Sequence, residues 1–131
     1  MTLVRIKRIY EPPSSADGLR ILVDRLWPRG VTRDRAAIDE WLRDVAPTGG
    51  LRRWYSHAPG RADEFRRRYL LELATKEHAA ALAALEELAD RGDRVTLLTA
   101  TADLSQSHAT VLAALLVEPG TGRQPEEPPS A

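Results

Sequence analysis

The side chains best suited to chemistry fall in two short stretches. Asp24-Arg25-Leu26-Trp27-Pro28-Arg29-Gly30 closes an apolar run, and the polar segment Thr99 to His108 leads from a second apolar run into a helical pattern. Arg25 and Arg29 carry planar guanidinium forks that match phosphate or carboxylate oxygens two at a time. Ser105 or Ser107 can cap the helix beginning near His108, and the unpaired N–H groups of such a helix start favour an anion. His108 is the acid/base candidate, since an imidazole is suited to shuttling a proton, with Asp103 or Asp24 as its carboxylate. Trp27 would wall the resulting pocket. Each of these residues also has a plainer use. Arg25 can pair with Asp24 or Asp39, Trp27 can simply cover the core, Ser107 can be only a cap, and His108 can be a buried histidine without chemistry.

Other chemistries are excluded or disfavoured. The chain has no cysteine, which removes disulfides, thiolate nucleophiles and cysteine metal ligands. His57, His78 and His108 are widely spaced, so neither a zinc site nor any other metal or cofactor is expected. His57 fits a helix end, His78 the surface, and Tyr69 the core with a bonded hydroxyl.

The elements that must position the two stretches can be read from period and punctuation. Leu3 to Ile9 alternates like a partly exposed edge strand, and Pro12, Pro13 and Gly18 mark a loop too short for a helical crossover. Leu19 to Val23 reads as a strand buried on both faces, and Val95 to Thr99 as the clearest strand of the chain. After Gly30, Thr32 can cap a helix whose Ile38, Trp41, Leu42 and Val45 share one face, with Pro47 stopping it. Thr48 can cap a short helix carrying Leu51, Trp54 and Tyr55. A longer helical region follows, with Phe65, Tyr69 and Leu73 and then Leu82, Leu85 and Leu88, broken near Thr75 to His78. Ala109, Val111, Leu112, Leu115 and Leu116 mark the last helix.

Strands alternating with helices give an α/β class: a single compact domain over residues 1–117, with a small, mainly parallel sheet covered by helices. Residues 118–131, rich in Pro and Glu, read as a disordered tail. In such sheets ligands settle beyond the carboxyl ends of the strands. If the second and last strands are adjacent and parallel, the two polar stretches share one crevice.

A 131-residue chain with 43% hydrophobic and 29% charged residues suits one soluble core. No apolar run is long enough to cross a bilayer and no signal-peptide pattern opens the chain, so a cytoplasmic protein without membrane contact is expected. Net charge is zero, yet residues 1–68 carry fifteen Lys or Arg against nine Asp or Glu, and residues 69–131 carry four against ten. That asymmetry allows a nucleic-acid reading, with Arg52, Arg53, Arg61 and Arg66 to Arg68 on phosphates and Trp54 or Tyr55 stacked on bases. The neutral total argues against it.

The sequence also resembles a known family. Leu22-Val-Asp-Arg-Leu-Trp-Pro-Arg-Gly30, Trp41-Leu42, Ala46-Pro47, Leu51-Arg-Arg-Trp54 with His57, Phe65 with Tyr69 and Glu72-Leu73, Val95-Thr-Leu-Leu98, and His108-Ala109 with Leu112 are similar to the YeaO-like branch of the bacterial domain-of-unknown-function family 488. The resemblance spans roughly residues 3 to 117. It implies a compact cytoplasmic α/β domain with no established activity. Relatives often have Asn at the position of Ser107, and longer members of the wider family have a Cys before the His, so thiol chemistry does not carry over to this chain. Three readings follow: a pocket for a small phosphate- or carboxylate-bearing ligand, with or without turnover; a partner-binding or structural domain; and a nucleic-acid module. Oligomeric state is left open.

Overall fold

A computed structural model describes residues 2–56, 58–92, 94–117 and 123–125. Five parallel strands, β1 (Thr2–Arg8), β2 (Leu19–Leu22), β3 (Glu40–Trp41), β4 (Arg94–Thr99) and β5 (Arg123–Pro125), form one sheet in the order β3-β2-β4-β1-β5. This is the α/β architecture expected of the sequence. β1 was expected at an edge; β5 flanks it along Thr2 to Val4. Apart from β5, the segment from 118 onward lies outside the described residues, and with it the expectation of a disordered tail.

The two faces of the sheet are covered differently. Val4, Ile21, Val23, Val95 and Leu97 point to one side, under helices α2 (Gly49–Tyr55), α3 (Ala62–Leu73), α4 (Lys76–Arg91) and α5 (His108–Leu116). Phe65, Tyr69 and Leu73 of α3, Leu85 and Ala89 of α4, and Ala109, Leu112 and Leu116 of α5 complete that core. Each fully buried aliphatic side chain contributes about 1.5–3 kcal/mol. On the other side Ile9, Leu22 and Leu98 pack with Ala36, Trp27, Val31, Ile38 and Trp41, all but Ile9 and Leu98 from β2 and the chain that follows it.

The stretch after Thr32 departs from expectation. The helix, α1, spans only Arg33–Ala36, and Ala37 ends it in the left-handed region at φ 48°. Ile38, Trp41, Leu42 and Val45 do not share a helix face. Asp39 N–H donates to Arg20 O, its carboxylate accepts from Arg20 N–H, and Leu42 N–H donates to Leu22 O, so the chain runs beside β2. Ile38 and Trp41 join the second apolar cluster and Leu42 and Val45 the first. A segment crossing the sheet edge buries residues on both sides, and that mimics the period of a helix.

The second face of the sheet is also locked by charge, through side chains that alternate with the first core along β1 and β2. Asp17, fully buried, accepts from Arg20 at 2.5 Å, Lys7 at 3.1 Å and Ser14 N–H at 3.0 Å, with Arg5 at 3.6 Å. Burial pushes its carboxyl up, but these hydrogen bonds outweigh that and hold it below the usual aspartate value. Gly18, beside it, has φ +64°, and a Cβ there would stand 2.2 Å from the Arg94 carbonyl oxygen. The loop touches β4 so closely that only glycine fits.

Candidate functional site

β2 and β4 are adjacent and parallel, so the chain leaves both at the same edge of the sheet. The loops that follow face one cleft of about 580 Å³. Asp24 joins them: its Oδ2 accepts from Ala100 N–H at 2.8 Å, and its carbonyl accepts from Trp41 Nε1 at 2.8 Å. Trp27 anchors the first loop by donating Nε1–H to Val31 O at 2.7 Å and meeting Trp41 edge-on at 5.4 Å. Tyr10 OH donates to Arg29 O at 3.3 Å. Gly30, at φ +77° in open space, makes the turn. The backbone carrying Arg25 and Arg29 is therefore fixed from several directions, while both guanidinium groups stay exposed at the cleft.

His108 stands at the inner wall. Its Nε2 lies 2.9 Å from Val23 O and 3.5 Å from Asp24 Oδ1. A carbonyl can only accept, so Nε2 carries the hydrogen. The imidazole, 9% exposed, thus ties the start of α5 to the end of β2. Tyr69 meets its ring edge-on at 6.1 Å and donates its hydroxyl to Val45 O. Burial, followed by the charges of Glu72 and Asp24, pushes that phenol well above its ordinary value, so it stays a neutral donor. Phe65 and Tyr55, stacked at 4.1 Å, form an aromatic floor.

Of the residues singled out in the sequence, Arg25, Trp27, Arg29 and His108 line this cleft, and Ser105 and Ser107 are not among its lining residues. Ser105 turns its hydroxyl to Asp103 at 2.6 Å. Ser107 holds the position before α5, but its hydroxyl donates to Leu104 O at 3.0 Å and leaves the helix N–H groups uncapped by it. His57 lies outside the described residues. His78, expected on the surface, is half-buried, and its Nε2 donates to Ala46 O at 3.1 Å, holding the Ala46-Pro47 wall against α4.

Among the lining residues that belong to neither stretch are two arginines, Arg52 and Arg53 on α2. Their charge was visible in the sequence, but which surface they share depends on how α2 docks. Three of the other arginines read as phosphate contacts, Arg61, Arg67 and Arg68, go elsewhere. Arg61 and Arg68 lie over the Trp54 ring at 5.1 and 4.0 Å, and Arg67 and Arg68 donate to Glu64. Those hydrogen bonds hold the Glu64 carboxyl at about 2. A Trp54 ring already covered by guanidinium groups is poorly placed to stack on bases.

A family model, described as the inactive DUF488-N3 subclade, matches residues 3–131. The chain belongs to this DUF488 family. An uncharacterised protein of Mycobacterium tuberculosis, Rv3073c, is 49% identical over 115 residues, covering 88% of this chain and 94% of the relative. The uncharacterised protein YeaO of Escherichia coli is 39% identical over 112 residues, covering 84% and 93%. No solved structure matches the chain at a significant level. Among the described residues no helix is long and apolar enough to cross a membrane.

Proposed function

We propose that the cleft binds a small phosphate- or carboxylate-bearing ligand and that this DUF488 domain holds it without turnover. The observation that carries the reading is the state of the cleft arginines. Among the described residues no hydrogen bond or ion pair engages the guanidinium groups of Arg25, Arg29, Arg52 or Arg53, although all four line one cavity. The one acid of that lining, Asp24, already spends an oxygen on Ala100 N–H. Unspent forks around a concave, partly apolar site favour an anion. The subclade's description as inactive supports binding over catalysis. So does the chain's lack of cysteine. His108, with Nε2 committed to Val23 O, then serves to hold the wall.

Isothermal titration of the full chain with inorganic phosphate, sulfate and citrate tests this. Wild type is expected to bind at least one of them, and Arg25→Gln/Arg29→Gln to bind it about 10-fold or more weakly. Equal absence of binding in both proteins would overturn the reading.

A further inference from the structure

Resting on that reading, we infer that the ligand carries two linked phosphoryl groups: the cleft is a diphosphate clamp with Arg25 and Arg29 on one wall and Arg52 and Arg53 on the other. Arg25 and Arg29 sit on the loop leaving β2, whereas Arg52 and Arg53 sit on α2, which packs against α3. The two pairs come from separate parts of the fold and converge on one cavity. Two bidentate forks already reach all four oxygens of a single phosphate, each of which can accept more than one hydrogen bond. Four forks drawn from two separate elements can reach more oxygens, over a wider span, than that group presents. A diphosphate, with six terminal oxygens on two adjacent centres, matches them.

Charge points the same way. Several arginines elsewhere in the molecule are neutralised locally: Arg20 by Asp17, Arg67 and Arg68 by Glu64, Arg91 by Glu87. In the cleft four cations face Asp24 alone. A monoanion would leave most of that charge uncompensated, and a group of higher charge would not. The volume of about 580 Å³ also exceeds an isolated phosphate and lies in the ordinary range for a small organic ligand.

Calorimetric titration of the full chain with orthophosphate and with pyrophosphate, in wild type, Arg52→Gln/Arg53→Gln and Arg25→Gln/Arg29→Gln, decides it. Circular dichroism of each variant confirms folding. Wild type is expected to bind pyrophosphate about 10-fold or more tightly than orthophosphate. Arg52→Gln/Arg53→Gln should weaken pyrophosphate about 10-fold more than it weakens orthophosphate and so abolish that preference, and Arg25→Gln/Arg29→Gln should weaken both. A wild type without preference, or a preference that survives in Arg52→Gln/Arg53→Gln, overturns the diphosphate clamp. Orthophosphate binding that is lost in Arg25→Gln/Arg29→Gln would then leave the anion pocket standing. If neither anion binds wild type, the diphosphate clamp falls, and the anion pocket falls with it unless sulfate or citrate binds.

Discussion

Asp17 and the cleft arginines put charge to opposite uses within one small domain. Around Asp17 three cations and a backbone N–H close on a carboxylate with no exposure, and the result is a lock joining β1, β2 and the loop between them. Removing a partner from such a cluster strands the others in a low dielectric. Asp17→Asn is therefore expected to cost about 3 kcal/mol or more, measured by urea unfolding at neutral pH. The pH dependence follows from the direction of the shift. The folded carboxyl titrates below the unfolded one, so its stabilisation is complete above about pH 4 and disappears as pH falls through the folded value. The variant should show a flatter loss of stability in that acid window than wild type. Arg25, Arg29, Trp27 and His108 were legible as cleft residues because each sits at a strand end or helix start in a polar stretch. Arg52 and Arg53 were not, since nothing local to α2 says which way it faces. Ser105 and Ser107 were misleading for the opposite reason: their hydroxyls satisfy Asp103 and the Leu104 carbonyl, local bonds that compete with any outward role.

At the level of elements, β1, β2, β4, α2 and α5 were readable because each has a clean period and a stop signal. The stretch from Arg33 to Val45 was not, because an edge crossing buries alternate groups of residues above and below the sheet. Turn glycines separate two physical effects that sequence alone merges. Gly18 needs both its positive φ and the space a Cβ would fill, whereas Gly30 needs only the φ. Gly18→Ala is expected to destabilise by about 3 kcal/mol or more, and Gly30→Ala by about 1 kcal/mol, both by denaturant unfolding. Equal costs at the two sites would show that the contact with Arg94 is relieved by a small shift of the loop. Because Gly30 belongs to the cleft loop, its variant should also weaken anion binding more than its stability loss suggests.

For the whole molecule, the parallel α/β class followed from strands alternating with helices, and the shared crevice followed once β2 and β4 proved to be neighbours. The order of strands could not be read, because no local pattern encodes which strand lies between which. That order has a consequence for how the chain comes to be folded. β4 separates β1 from β2, yet it begins 75 residues after β2 begins. A growing chain that has passed β2 but not Thr99 holds two apolar strands with the gap between them unfilled, and no local hairpin can close it. Stalled chains ending at residue 92 are expected to be cut readily by protease, and chains extended through α5 to resist. The domain is thus assembled late, around a strand that arrives after the partners it must join.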